Sequence, residues 1–192
     1  MALIELPVGA AVAIDCVAWA VVGTATGYLW HRRPASRLAA DGFVTRPRRF
    51  EQGGRWYERR LRIRSWKRYL PEAGGLFRGG YSKRTLRSRS TAELQRFRIE
   101  TRRAELTHWC VVAWTPLFAL WNPPALFVAM VLYAVVANGP CTAAQRYNRA
   151  RLTRMLDRRA RSATHPARSP SAPGPEAGSM DRSGWRRRSA DG

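Results

Sequence analysis

The chain has few of the residues that build metal centres and disulfide frameworks. Its 192 residues include three cysteines and three histidines. Cys16, Cys110 and Cys141 all fall in apolar stretches that predict helices, where cysteine is usually a small buried hydrophobic residue. Their spacing matches neither zinc ligands nor a disulfide framework. We therefore predict no metal and no bound cofactor.

Acidic residues are also scarce, and cations are missing from long stretches. The chain carries 34 Lys and Arg against 13 Asp and Glu, a formal net charge of +21. All 34 cations lie between Arg32 and Arg103 or between Arg146 and Arg188, so basic and apolar blocks alternate. This excess could bind nucleic acid, because basic surfaces release counterions from phosphates. We instead predict membrane lipids and an anionic acyl donor as partners and no nucleic acid, because nucleic-acid binding does not explain the apolar blocks.

The cation-free blocks predict helices that cross a membrane. Leu6 to Leu29 is about long enough for one crossing, which takes roughly 20 helical residues. Leu106 to Ala144 is too long for one crossing, and Trp121-Asn122-Pro123-Pro124 divides it into two legs. The first leg, 106–120, has only 15 residues, roughly 22 Å of helix, which is short for a crossing. It is therefore either a spanning leg that starts among the headgroups or a re-entrant leg. A cleaved signal peptide is the alternative for the first block, but no basic segment precedes it.

The fold class that follows is an all-α integral membrane protein with about three transmembrane helices. Lys and Arg in short flanking loops remain cytoplasmic, so we predict a multi-pass cell-membrane protein with its N-terminus outside and its C-terminus inside. The regions are an N-terminal transmembrane helix (1–30), a basic cytoplasmic or interfacial region (31–105), a transmembrane or re-entrant helical hairpin (106–144), a basic cytoplasmic helix (145–160) and a disordered tail (161–192).

Asp15 lies inside the first apolar block. A carboxylate near the centre of a spanning helix costs about 2.5–3.5 kcal/mol, so such a group usually faces other helices, pairs or takes up a proton. A shallower position near the outer interface is the alternative interpretation.

Polar residues flank the predicted hairpin at both ends. On the incoming helix Thr101, Glu105 and His108 share one face, because they follow i, i+4, i+7 spacing. The outgoing helix carries a second polar stripe: Asn138, Thr142, Gln145 and Arg149. The entrance and exit of a hairpin lie at one membrane face, so the two stripes are expected to meet there. An interfacial histidine beside an ordinary helical glutamate is the alternative for the first stripe.

Three motifs resemble one family of small bacterial membrane proteins. The segments I-E-T-R-R-A-E-L-T-H-W, N-G-P and Q-R-Y-N-R-A-R-L-T are similar to the glycosyl-4,4'-diaponeurosporenoate acyltransferase family, and F-E-Q-G-G and S-W-K-R-Y-L-P match it more loosely. The resemblance covers roughly Phe50 to Leu156. It implies a membrane enzyme that esterifies a glucose hydroxyl of a glycosylated carotenoid acid, the last step in making staphyloxanthin. A related glycolipid acceptor stays open, since one fold can serve several substrates.

Acyl transfer to a hydroxyl needs a general base and a donor to the oxyanion. Among the residues that match the family, we predict His108 as the general base and Glu105 as its orienting partner. Asn148 or Gln145 is the predicted oxyanion donor. The chain has no G-x-S-x-G and no H-x-x-x-x-D segment, which favours direct transfer over a covalent acyl-enzyme.

The same resemblance supplies predicted substrate-binding residues. Arg146, Arg149 and Lys67 are expected to bind donor phosphates, because guanidinium groups bind phosphate with two hydrogen bonds. Trp66 and Asn138 complete the predicted substrate-binding set. The expected cosubstrate is an acyl-CoA or an acyl carrier protein, and the expected acceptor is a glycosylated carotenoid or lipid.

A non-catalytic membrane scaffold or anionic-lipid-binding protein is the alternative function. It explains the basic blocks and aromatic residues equally well, and association with other membrane biosynthetic enzymes fits either hypothesis. It does not explain two polar stripes at one rim, and for that reason we place it second.

Overall fold

The structure, a computed structural model, describes residues 4–70 and 90–164. Regular secondary structure in these ranges is helical throughout, as predicted. The α-helices are α1 (Val8–His31), α2 (Arg55–Arg60), α3 (Ile63–Trp66), α4 (Thr91–Ala113) and α5 (Pro124–Thr164), and 3-10 helices occupy Ala35–Leu38, Arg49–Gly54, Lys67–Tyr69 and Thr115–Leu120. Residues 161–164 of the predicted disordered tail are helical, and residues 165–192 lie outside the described ranges.

Within the described ranges, α1 and α5 are long and apolar enough to cross a membrane. Their large apolar side chains face outward, since Val17 of α1 is 63% exposed and Val136 of α5 is 71% exposed. Polar side chains face inward, and both Asp15 and Asn138 are buried. Exposed apolar surface of this extent marks a partner or membrane surface, and inward polar groups are typical of membrane helices.

The apolar parts of α1, α4 and α5 pack together as a three-helix bundle. At one end the backbone N–H of Ile4 donates to the carbonyl of Leu120 at 3.0 Å. At the other end Arg103 donates to the carbonyl of Arg33 at 3.0 Å, so α1 runs antiparallel to α4. The N-terminal end of α1 and the turn at residues 121–122 therefore lie together. The opposite end, where α4 carries residues 101–108, is called the polar end below.

The second apolar region differs from the predicted hairpin. Residues 106–113 complete α4, and Thr115–Leu120 forms a separate 3-10 helix with Pro116 in its first turn. The described ranges thus contain two helices that are both long and apolar enough to span a membrane, and the predicted count of three is not confirmed. Helix α5 continues through Pro140 and past residue 145 to Thr164, so the second leg and the predicted basic helix form one element.

Residues 35–70 fold against α4 and α5 beyond the polar end. Their contact with α5 has a small core of buried side chains: Tyr57, Ile63, Ala144 and Tyr147. Gly54 allows the close approach because it has a φ of +98°, and a Cβ atom there would lie 3.2 Å from the Cβ atom of Ala150. A side chain at this position is therefore both strained and crowded.

Candidate active site at the polar end of the bundle

A buried carboxylate joins α4 to α5. Glu105 is 0% exposed, and its two carboxylate oxygens accept hydrogen bonds from Arg146 and Arg149. A buried charge is tolerated when opposite charges and hydrogen bonds compensate for the lost water. This ion network links the T-R-R-A-E segment to the Q-R-Y-N-R segment.

Arg146 uses all five of its N–H groups within the protein. They donate to the carboxylates of Glu51 and Glu105 and to the carbonyl oxygens of Val44 and Arg46. A guanidinium group has five N–H donors, so each one has a protein acceptor. The Arg146 side chain thereby holds residues 44–51 against α5. The acidic residue of the F-E-Q-G-G segment, Glu51, is one of its acceptors.

Arg149 has the same anchoring role. Besides Glu105, it donates to the carbonyl oxygen of Thr45 at 2.7 Å. Both guanidinium groups thus neutralise protein carboxylates and hold the loop before α2. That Arg146 and Arg149 bind donor phosphates stays a prediction, and it requires these internal bonds to be exchanged for bonds to the donor.

His108 reaches the second polar stripe through Asn138. The Nδ1 atom of His108 lies 2.9 Å from the Oδ1 atom of Asn138. The Nδ2 atom of Asn138 donates to the carbonyl oxygen of Ala134 at 2.9 Å, which orients the amide with its oxygen toward the imidazole. Because an amide oxygen only accepts, Nδ1 of His108 carries the proton and Nε2 keeps its lone pair.

The hydrogen-bond partner of His108 thus differs from the predicted one. Among the residues that the structure describes, its polar partner is Asn138, whereas Glu105 is turned toward two guanidinium groups. A carboxylate gains more from two cations than from a neutral ring. Burial lowers the pKa of His108 below its ordinary value, and the hydrogen bond to Asn138 opposes this shift. The imidazole, which lies outside the two candidate spanning helices, is therefore neutral at pH 7.

The remaining predicted site residues lie further along α5. The Nζ atom of Lys67 donates to the Oδ1 atom of Asn148 at 3.0 Å and lies 4.7 Å from the centre of the Tyr147 ring. Trp66 packs against the core around Tyr147, and its indole N–H donates to a backbone carbonyl. Gln145 is half-buried. The structure thus joins Lys67 to Asn148 but places them away from His108.

Several residues of this region were given no role from the sequence. The hydroxyl of Tyr147 donates to Glu58 at 2.7 Å and accepts from Arg64 at 3.1 Å. The hydrogen bond from Tyr147 lowers the pKa of Glu58. Burial, reinforced by the charge of Glu51, raises the pKa of Tyr57 to about 12. Of these residues only Tyr147 lies in a motif segment, and the sequence carries no signal for the others because their partners lie in distant parts of the chain.

A cationic pocket of about 510 Å³ lies beside α2. It is lined by Gln52, Trp56, Arg59 and Arg60. Guanidinium groups bind phosphate oxygens, and an indole ring offers a face to a planar group. One aromatic ring, that of Trp56, and two guanidinium groups, those of Arg59 and Arg60, thus line one open pocket.

The chain matches known proteins over most of its length. A family model described as glycosyl-4,4'-diaponeurosporenoate acyltransferase matches residues 41–158. A protein of that name from Staphylococcus aureus strain bovine RF122 / ET3-1 is 31% identical over 139 residues, which cover 72% of this chain and 83% of the relative. Proteins of the same name from strains USA300 and MRSA252 are 31% and 30% identical, with the same coverage. No solved structure matches the chain.

Proposed function

This chain belongs to the glycosyl-4,4'-diaponeurosporenoate acyltransferase family and is an acyltransferase, and we propose that it esterifies a sugar hydroxyl of a glycosylated carotenoid or related glycolipid. The acyl group is a fatty acyl chain. The observation that carries the proposal is the contact between His108 and Asn138, which leaves a neutral imidazole with a basic Nε2 atom at the polar end of the bundle.

The proposed reaction is a direct transfer. The Nε2 atom of His108 accepts the proton of the sugar hydroxyl while the hydroxyl oxygen attacks the carbonyl carbon of the acyl thioester. A C–O bond forms, and the carbonyl oxygen becomes an oxyanion. When the intermediate collapses, the C–S bond breaks and the thiolate takes the proton from the imidazolium. Asn138 stabilises the imidazolium because its Oδ1 atom accepts from Nδ1.

Gln145 is the better placed of the two predicted oxyanion donors. It lies seven residues after Asn138 on the same face of α5, about 10 Å along the axis. Asn148 lies about 15 Å along the axis from Asn138, and its Oδ1 atom already accepts from Lys67. We therefore assign the oxyanion to the side-chain amide of Gln145.

The cationic pocket is the proposed site for the anionic part of the acyl donor. Arg146 and Arg149 are occupied by protein acceptors, whereas Arg59 and Arg60 line an open pocket. Gln52 lines the pocket, and the next residue, Gly53, faces α5, because a Cβ atom added to Gly53 would lie 3.7 Å from the Cδ atom of Arg154. From Asn138 to Arg154 the helix rises about 24 Å. A donor with a long pantetheine arm, as in acyl-CoA or acyl carrier protein, bridges a separation of this order.

The membrane placement is part of the same proposal. We place α1 and the first part of α5 across the cell membrane, with the polar end and the C-terminus at the cytoplasmic face and the N-terminus outside. The outward apolar side chains of both helices support this placement. The cations support the orientation. They lie in residues 32–103, between α1 and the end of α4, and in residues 146–188. Both segments lie on the cytoplasmic side in this placement, as expected for Lys and Arg next to membrane helices.

Reconstituted enzyme tests the proposal. The protein in lipid nanodiscs is incubated with a glycosylated carotenoid acid and with acyl-CoA or acyl carrier protein, and mass spectrometry follows the gain of one acyl group. We expect His108→Ala to lower turnover about 10²–10⁴-fold, with membrane insertion unchanged. His31→Ala, at the end of α1, is the matched control. Near-normal turnover by His108→Ala would contradict the assigned base.

A different result of these experiments would support the alternative function, a non-catalytic membrane scaffold. If wild-type protein acylates no acceptor with either donor, and if pigment extracts of cells with and without the protein are identical, the chain acts without catalysing acyl transfer. Loss of one acylated glycolipid from cells that lack the protein supports the enzyme.

A further inference from the structure

The basic loop between α1 and α2 exposes a large aromatic side chain. Phe43 is 75% exposed. The guanidinium carbon of Arg46 lies 4.9 Å from the centre of its ring, and that of Arg48 lies 5.4 Å from it. Arg48 also donates to the carbonyl oxygen of Phe43 at 3.0 Å. We call these three side chains the Phe43 surface. It combines an exposed ring with cations, as segments that bind the membrane interface do.

The cations of the Phe43 surface differ from the buried arginines of the site. The buried ones pair with Glu105. In the part of the chain that the structure describes, neither Arg46 nor Arg48 forms an ion pair with a carboxylate. Residues 43–50 contain three arginines and no acidic residue. An exposed positive charge without internal compensation favours an anionic partner.

Internal hydrogen bonds set the depth of this surface. Arg146 donates to the carbonyl oxygens of Val44 and Arg46 at 3.0 and 2.9 Å, so the loop after Phe43 lies beside residue 146 of α5. From Pro124 to Arg146 the helix rises about 33 Å. The hydrocarbon core of a bilayer is about 30 Å thick, and the headgroup layers extend it to about 40–45 Å. With Pro124 at the outer edge of the core, the loop lies in the inner headgroup layer.

Helix α1 gives an independent estimate of the same level. Tyr28 lies 20 residues after Val8, where α1 begins, or about 30 Å along the axis. Its hydroxyl accepts from Arg32 at 3.0 Å, and its side chain is 48% exposed. A second aromatic ring with a cation thus lies at the inner edge of the core, where tyrosine is enriched. Both helices therefore place this end of the protein among the headgroups.

We propose that the Phe43 surface binds anionic phospholipids of the cytoplasmic leaflet, with the Phe43 ring among the headgroups and Arg46 and Arg48 on the lipid phosphates. The proposal rests on the membrane placement given under the proposed function. An anionic leaflet attracts juxtamembrane arginines, and a guanidinium group binds phosphate with two hydrogen bonds. Because the loop is hydrogen-bonded to Arg146, bound lipid holds the polar end of the bundle at the membrane.

A spin label beside Phe43 measures its depth. Gly42→Cys carries a nitroxide in full-length protein whose three native cysteines are replaced by serine. A Cβ atom at Gly42 would lie 3.8 Å from the Oγ1 atom of Thr45, an ordinary contact, so the fold is expected to persist. In nanodiscs of phosphatidylcholine, without and with phosphatidylglycerol, the collision rate of the label with oxygen, which enters lipid, is divided by that with a water-soluble nickel chelate. We expect this ratio to rise as phosphatidylglycerol is added.

Arg46→Gln/Arg48→Gln is the test variant. Each arginine near an anionic leaflet strengthens binding about fivefold. We therefore expect the double variant to weaken the apparent affinity for phosphatidylglycerol about 25-fold. Arg158→Gln/Arg161→Gln is the matched control, because it removes the same charge from exposed positions of α5. From Arg146 to Arg158 the helix rises about 18 Å, more than the Debye length of about 8 Å at physiological salt, so the control should leave the affinity unchanged.

A second label separates this proposal from the membrane placement. Val136→Cys replaces an outward side chain of α5. If the label at Val136 collides mainly with the nickel chelate, the placement and the Phe43 surface are both contradicted. If that label lies in lipid but the label at Gly42 is in water in both lipid mixtures, the Phe43 surface is overturned and the placement stands.

Three further results would also overturn the proposal. The first is a ratio at Gly42 that is equal without and with phosphatidylglycerol. The second is a dependence on phosphatidylglycerol that survives in Arg46→Gln/Arg48→Gln. The third is a label that responds to added acyl carrier protein but not to phosphatidylglycerol, which would assign the Phe43 surface to a protein partner.

Discussion

The Nδ1 atom of His108 and the Oδ1 atom of Asn138 lie 2.9 Å apart and join α4 to α5 at the polar end of the bundle. The bond selects one tautomer of the imidazole, because the amide is itself held by the carbonyl of Ala134. When the tautomer of the base is set before the substrate binds, no free energy is needed to reorganise the imidazole during the reaction. The proposed catalysis therefore depends on this pair, and the stability of the polar end depends on the buried ions next to it.

Asn138→Leu should lower kcat. Without an acceptor the Nδ1 proton is no longer held, and the imidazolium loses one hydrogen bond, so we expect a decrease of about tenfold with little change in KM for the acceptor. Asn138→Asp keeps an acceptor and should retain more activity. Steady-state kinetics of the three proteins check this, and an unchanged kcat in Asn138→Leu argues against a positioning role.

The pH profile should report the neutral form of His108. A general base works when deprotonated, and burial lowers the pKa of His108 below the ordinary value of 6.5. Activity should therefore decrease as the pH is lowered, with its midpoint below pH 6.5. In Asn138→Asp the added carboxylate should move the decrease to higher pH. If wild-type activity already decreases when the pH is lowered to 8, this histidine is not the base.

Glu105→Gln tests whether this carboxylate is an anchor or a catalytic partner. The change leaves Arg146 and Arg149 buried with one anion fewer, so we expect a loss of about 3–5 kcal/mol in the free energy of unfolding. Asp157→Asn, an exposed acid on the same helix α5, should change it by less than about 0.5 kcal/mol. Unfolding in detergent is followed by circular dichroism. If Glu105→Gln is as stable as the wild-type protein but has lost turnover, the result would instead support Glu105 as the catalytic partner of His108.

Gly54→Ala should destabilise the contact between the loop and α5. At a φ of +98° a Cβ atom is strained, and it would lie 3.2 Å from the Cβ atom of Ala150. Strain and crowding together cost about 1–3 kcal/mol. Gly23→Ala is the control, because nothing lies within 4 Å of its added Cβ atom. Thermal unfolding compares the two variants, and an equal midpoint for both would show that the loop can move away from α5.

Much of the architecture was predictable from hydrophobic and charge patterns. The cation-free block before Arg32 became the apolar helix α1, and the residues around Glu105 and Asn138 became facing helices, because helical periodicity and charge act over short distances along the chain. The predicted first leg of the hairpin became the end of α4 and a 3-10 helix. A pattern of apolar residues does not reveal where a helix gives way to another helical turn near Pro116.

The sequence by itself determined the alternation of basic and apolar blocks, the all-helical class and the approach of the polar residues of α4 to those of α5. Tertiary structure alone decided which partner each polar group took. Glu105 pairs with Arg146, 41 residues away, rather than with His108, and Asp15 meets Asn122 across 107 residues. The physical reason is competition: several acceptors and donors fit each group by helical spacing, and packing selects the set that satisfies the buried charges together.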